Sequence, residues 1–326
     1  MHRRLPIGIQ SFEKVRRDGF VYVDKTAYVH ELAQAGVPAF LSRPRRFGKS
    51  LLVSTMRAYF EGRRELFAGL DAERLEEESA AEEGGEPWVA RPVFHLDFNG
   101  ADYTREGGLE GKLDAMLRRL EGAWGVDPEG LGAGDRFQNL LERAHQRSGH
   151  RVAVLVDEYD KPLLEAVDDP ALEESNRAAL KAFFSVLKGA DEHLRFAFLT
   201  GVTKFSKVSI FSDLNQLRDV SLSKDYAAVC GITEPELLAT FGPELGALAA
   251  QLGTDAAGCL GALRDKYDGY RFHAKGPGVY NPFSLLNALA EGERGSYWFA
   301  TGTPTFLVRR MREAELDPRR LTDGTI

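Results

Sequence analysis

The chain has 326 residues, 43% hydrophobic and 28% charged, and a net charge of −7. This is the balance of a globular chain with a full core, and its acidity argues against nucleic-acid binding by the surface as a whole. No apolar run reaches the roughly 18 residues of a membrane span. The opening MHRRLPIGIQ lacks an apolar leader, and Cys230 and Cys259 make neither a disulfide framework nor a zinc spacing, so the cytoplasm is the expected compartment.

In chain order, Phe20 to Val23 reads as a short strand, with Asp24 as N-cap of a helix that turns Tyr28, Leu32 and Ala33 inward. Val37 to Ser42 reads as a buried strand and Ser50 to Glu61 as a helix ended by Gly62, with Leu51, Leu52, Thr55, Met56 and Tyr59 near one stripe. Asp71 to Glu86 is acidic and poor in apolar residues, as in a solvated helix followed by an exposed loop. Strands are expected over Pro92–Phe98, Val152–Val156 and Phe196–Thr200. Between them lie helices over Gly108–Trp124, Arg136–Arg147 (capped by Asp135) and Pro170–Lys188. Strands alternating with helices of this length imply an α/β fold with a mostly parallel sheet sandwiched by helices. From about Ile232 the strand signal fades, and helices over Glu234–Leu252, Ala256–Tyr267 and Pro282–Glu291 suggest a smaller helical unit.

Between the strand ending at Ser42 and the following helix lies RPRRFGKS, residues 43–50. A phosphate-binding loop, G-x-x-x-x-G-K-[ST], places its amides and a lysine on phosphate oxygens and its hydroxyl on Mg²⁺. Here Gly48, Lys49 and Ser50 match, whereas Arg43 stands where the pattern has its first glycine. The amides of Arg46, Phe47, Gly48, Lys49 and Ser50 would still cradle a phosphate. Arg43, Arg45, Arg46, Lys49 and Arg57 form a basic focus in an acidic chain, as expected of a local anionic ligand. A basic helix start that only looks like such a loop is the structural alternative.

Downstream, Val152–Val156 runs into Asp157 and Glu158, the form of a Walker B element. Asp157 would hold the metal and Glu158 would take a proton from the attacking water; two acidic residues capping a helix is the plainer reading. The strand ending in Leu199-Thr200-Gly201-Val202-Thr203-Lys204 offers Thr200 or Thr203 as a polar sensor between the two motifs, or a simple turn. Histidines give no metal site, and Glu110-Gly111-Lys112 falls in a helical pattern unsuited to a nuclease hairpin.

RPRRFGKSLL, VLVDEYDKPL, LTGVTKFSKVSIFS, YDGYRF and VYNPFSLLNAL, with the opening LPIGIQSFEKVRRDGFVYVDKT, resemble the predicted AAA-ATPase-like proteins of bacteria. In that family an ATPase module usually precedes a PD-(D/E)XK nuclease-like domain, and the loop carries arginine at the place of Arg43. The resemblance implies an additional-strand P-loop NTPase over residues 1–230 and a helical, winged-helix-like lid over 231–326. It also implies truncation before the nuclease, whose activity and indirect nucleic-acid contact are not carried over. The implied ligands are ATP and Mg²⁺, with Arg45, Arg46, Phe47, Gly48, Lys49, Ser50, Leu51, Thr200 and Thr203 at the nucleotide and Ser50 and Asp157 at the metal. Lys49, Asp157 and Glu158 would carry hydrolysis. Arg271 is a candidate lid arginine or a surface ion pair, and Tyr280-Asn281-Pro282-Phe283 a turn with Asn281 as N-cap. The alternative is an interaction or scaffold module without turnover, binding itself or a protein client and no membrane.

Overall fold

The computed structural model describes residues 3–128, 130–203, 210–211 and 216–298. Lys204, most of the segment up to Ser212, and everything after Trp298 therefore lie outside the described residues.

Two short helices open the chain, α1 (Phe12–Arg17) and α2 (Thr26–Ala35). The expected strand at Phe20–Val23 is reduced to one parallel bridge between Arg4 and Phe20. Asp24 does hold the start of α2, accepting from the amide and hydroxyl of Thr26, although the N-cap position belongs to Lys25. Strand β1 (Ala39–Ser42) feeds α3 (Lys49–Phe60), and α4 (Asp71–Glu83) carries the acidic run, largely solvated, with only Ala72 buried. Then follow β2 (Val93–Asp97), α5 (Gly108–Trp124), α6 (Ala133–Ser148) and β3 (Val152–Asp157). Glu110 and Lys112 are helical, as their pattern indicates, and α6 starts earlier than read, leaving Asp135 in its first turn rather than at its cap. Helices α7 (Lys161–Glu165) and α8 (Pro170–Gly189) precede β4 (Leu194–Gly201).

A two-residue β5 (Arg218–Asp219), too short to leave a periodic signal, completes one sheet in the order β2-β3-β4-β1-β5. Every pairing in it is parallel. Parallel strands are buried on both faces, which is why Val152–Val156 reads as an unbroken apolar run before Asp157. One face packs Phe94, Leu96, Val154, Val156 and Leu199 against α5, α6 and α8; the other packs Leu41, Ala153, Leu155, Phe196 and Phe198 against α2 and α3. The crossover therefore places β4 between the strand leading into the phosphate-loop sequence and the strand ending in Asp157.

After β5 come α9 (Glu234–Thr240), α10 (Gly242–Gln251), α11 (Ala256–Tyr267) and α12 (Pro282–Glu291). The single helix expected over Glu234–Leu252 is broken at Phe241-Gly242-Pro243, where proline cannot continue the ladder. These helices share their own apolar cluster, centred on Leu237, Leu248, Cys259, Leu263, Tyr280 and Leu285. Asn281 caps α12 as expected, its side chain accepting from the amide of Ser284.

Candidate nucleotide site

The chain leaves β1 at Ser42 and reaches α3 within six residues, which forces a tight turn. Gly48 sits there at φ 93°, the left-handed region that favours glycine, and no side chain caps α3. The first amides of the helix are thus left without intrahelical partners at its positive end. Arg45, Arg46, Phe47, Gly48, Lys49, Ser50 and Leu51 all line one cavity of about 450 Å³. Glu158 lines the same cavity from the end of β3. The Lys49 ammonium is buried and donates to the carbonyls of Arg43 (3.0 Å) and Pro44 (3.2 Å), folding back over its own loop.

Arg43 corrects the sequence reading. It belongs to no anion-binding focus: its side chain is 1% exposed and donates to the carbonyls of Ser42 (2.9 Å), Ser221 (2.6 Å) and Tyr226 (2.9 Å). Its guanidinium carbon lies 3.9 Å from the centroid of Phe272. Arg57 also leaves the group, pairing with Glu61 on the outer face of α3. The place of a turn glycine is thus taken by a strut from the loop to the segment after β5 and to the C-terminal helices.

Further contacts continue that tie. Phe47 packs edge-on against Tyr270 and Phe272, at centroid distances of 4.7 and 5.6 Å. The Arg46 guanidinium lies over Phe283, and the Arg45 carbonyl accepts from Trp298 Nε1. The aromatics of YDGYRF therefore anchor the loop to the C-terminal helices, while Arg271 between them is exposed and does not line the cavity.

Asp157 is buried at the end of β3 and accepts from the Thr200 hydroxyl at 2.6 Å across the β3–β4 pair. Neither residue lines the cavity. Thr203 is directed elsewhere: its amide and hydroxyl donate to Asp160 Oδ2 at 2.8 and 2.9 Å, beside the amide of Val202. Of the two sensor candidates, only Thr200 reaches Asp157. Glu158 has φ 56°, a left-handed backbone unusual for a side chain of its size. Burial pushes its carboxyl above the ordinary range, opposed by the charge of Lys49 and reinforced by Asp157 and Asp160. Such perturbed groups in a cleft mark functional sites.

Residues 6–211 match the family model described as Predicted AAA-ATPase. The chain belongs to that family. A relative, the uncharacterized protein in the vnfD 5′ region of Azotobacter chroococcum mcd 1, is 42% identical over 313 residues. The match covers 95% of this chain and 56% of that protein, so the chain spans just over half of its relative's length. Among solved structures, the Aeropyrum pernix ORC2 protein in ADPNP–ADP complexes is similar at 13% identity and a TM-score of 0.37, covering 93% of this chain and 70% of that one. That likeness is too loose to build on.

Several residues of this AAA-ATPase-family chain that bear on the cavity escaped the sequence reading. Asn99, just past β2, accepts from Lys161 Nζ at 3.1 Å, and both line the cavity beside Glu158. Asp160 is fully buried and Oδ1 has no partner, while burial raises its pKa. Its place inside VDEYDKPL was the available signal. Lys25, also on the cavity wall, pairs with Glu236 of α9 at 2.5 Å, a contact between distant segments that no local pattern announces.

Proposed function

We propose that this module binds Mg-ATP and hydrolyses it. The observation that carries the reading is the convergence of Lys49, Ser50 and Glu158 on one cavity, with the Thr200–Asp157 pair set between the strands behind it. The amides around Gly48 would hold the phosphates and the Lys49 ammonium would leave its two carbonyls for the β- and γ-oxygens. Glu158, with its raised proton affinity, would accept the proton of the attacking water. Thr200 would fix the Asp157 carboxylate.

Two hard oxygen donors, the Ser50 hydroxyl and the Asp157 carboxylate, suit Mg²⁺. Asp157 is buried without a cationic side chain in ion-pair range among the described residues, which fits a carboxylate meant for a metal. Bound there, the ion would neutralise phosphate charge. The apolar half of the cavity, lined by Ile9, Val21, Val23, Ile232, Phe283 and Leu286, would take the base. On this reading residues 1–230 form the P-loop unit and 231–326 a helical lid, joined along the cavity.

Calorimetry with Mg-ATP tests the binding: Lys49→Ala should abolish it, and affinity equal to wild type would overturn the assignment. Phosphate release then separates turnover from binding alone. Glu158→Gln should retain nucleotide and lose release, whereas a wild-type protein that binds ATP without releasing phosphate would be an interaction module.

A further inference from the structure

At the opposite, N-terminal end of the sheet stands a second cationic feature. Arg91 and Arg151 each lie two residues before the registered pair Val93–Ala153, so the two arginines enter neighbouring strands side by side. On the next strand the register slips between Val152 and Ala153, whose partners are Leu194 and Phe196, and Arg195 is the extra residue. Bulges of this kind re-aim a side chain. Arg195 accordingly reaches the α2–α3 side, where its Nη1 would lie 3.1 Å from a Cβ placed on Gly36. Three arginines thus enter adjacent strands at one edge, their main chains spaced by the strand separation of about 4.8 Å. Arg91 feels the charges of Arg195 and Arg151, and Arg195 that of Arg151.

Like charges on adjacent strands destabilise a sheet. None of the three has a carboxylate in ion-pair range among the described residues, and Arg91 and Arg195 are half-buried. The groups facing them are Tyr59, Glu76 and Glu83, together with Arg151. Glu76 is already engaged by the Tyr59 hydroxyl, the Trp88 amide and His30. The negative end of α2 at Gly36 offers a partial counter-charge only. Burial and mutual repulsion both weigh against the charged forms of Arg91 and Arg195.

We infer that Arg91, Arg151 and Arg195 form an anion site for a phosphate-bearing ligand, separate from the nucleotide cavity at the other end of the sheet. Guanidinium groups bind phosphate oxygens in forked pairs, and three in a row suit a diphosphate or consecutive phosphodiesters.

The test uses the full chain carrying Lys49→Ala, so that the phosphate loop is disabled, and titrates it with pyrophosphate and with a thymidylate oligomer. Adding Arg91→Gln and Arg195→Gln should weaken binding of the favoured probe by about ten-fold or more. Without any anion the same variants should melt at or above the temperature of their parent, because they remove repulsion. Loss of pyrophosphate binding identifies a free phosphate ligand, and loss of oligomer binding alone identifies a nucleic-acid backbone. A parent that binds neither probe, affinities for both probes within two-fold of the parent, or a lower melting temperature with unchanged affinity would overturn the site. Arg151→Gln provides an independent copy of the test from the exposed member of the row. Because Lys49 is absent throughout, failure here leaves the ATP reading untouched.

Discussion

Restoring the standard phosphate-loop sequence by Arg43→Gly should damage this protein rather than improve it. The guanidinium donates to three main-chain carbonyls, those of Ser42, Ser221 and Tyr226, and is 1% exposed. A hydrogen bond to a charged group contributes roughly 1.5–3 kcal/mol net, and a buried carbonyl left without a donor costs about 1–3 kcal/mol. The stacking on Phe272 adds about 1–2 kcal/mol at a desolvated site. Against this stands relief of a buried charge: burial lowers the Arg43 pKa, and its Nε has no partner. Glycine adds a further loss through the freedom it returns to the unfolded chain, about 0.5–1 kcal/mol.

The balance is a loss of about 3–5 kcal/mol, which corresponds to a fall in Tm of roughly 4–7 °C in a chain of this size. Denaturant unfolding measures it directly, with Arg43→Lys and Arg43→Met as companions that keep the charge or the bulk alone. Lysine cannot reach three divergent carbonyls, so Arg43→Lys should recover less than half of the loss. An Arg43→Gly protein within about 0.5 kcal/mol of wild type would refute the strut, since surface substitutions fall in that range.

Thr200→Val leaves the buried Asp157 carboxylate without its hydroxyl donor and should cost about 1–3 kcal/mol in chemical denaturation, while Thr200→Ser stays close to wild type. Burial raises the Glu158 pKa in the folded state, so folding takes up protons and its destabilising contribution is present above the raised value and absent below the ordinary one. Glu158→Gln should therefore stabilise the protein at neutral pH and gain less on acidification towards the ordinary carboxylate range, a trend that pH-dependent melting curves will show or refute. The acid limb of ATP turnover should likewise lie above that ordinary range. Phe47→Ala empties a buried site against Tyr270 and Phe272 and should cost about 3–5 kcal/mol, with Phe47→Leu recovering most of it in the same melts.

The sheet was legible because its signals are local. Val152–Asp157 could only be a strand covered on both faces, and Gly48-Lys49-Ser50 at a strand-to-helix turn marked the loop without its first glycine. Two kinds of information stayed hidden. Strand β5 has two residues and no periodicity, whereas the break at Gly242-Pro243 carried a local Gly-Pro signal that the helical pattern around it outweighed in the reading. The fates of charged side chains depend on partners far along the chain: Arg43 reaches Ser221 and Tyr226, and Lys25 reaches Glu236. Composition showed arginines near a phosphate loop, but only packing showed that one is a strut. Thr200 and Thr203 were equivalent in sequence and are separated by direction, since one bonds to Asp157 and the other to Asp160.

The loop and the C-terminal helices are best understood together. Arg43 stacks on Phe272, Arg45 accepts from Trp298, Arg46 covers Phe283 and Phe47 packs on Tyr270 and Phe272. Four of the five residues before Gly48 thus grip the segment after β5, which a glycine-rich loop could not do. Lys49 meanwhile holds the carbonyls of Arg43 and Pro44, the first two residues of the same stretch. On the proposed reading, a phosphate that drew Lys49 away would remove a donor from the Arg43 carbonyl while leaving the Arg43 side chain fixed to Ser221, Tyr226 and Phe272. The change at the phosphate would then be applied directly to residues that the C-terminal segment holds, with no longer route through the sheet required. In this chain the arginine at position 43 exchanges a flexible turn for a mechanical connection.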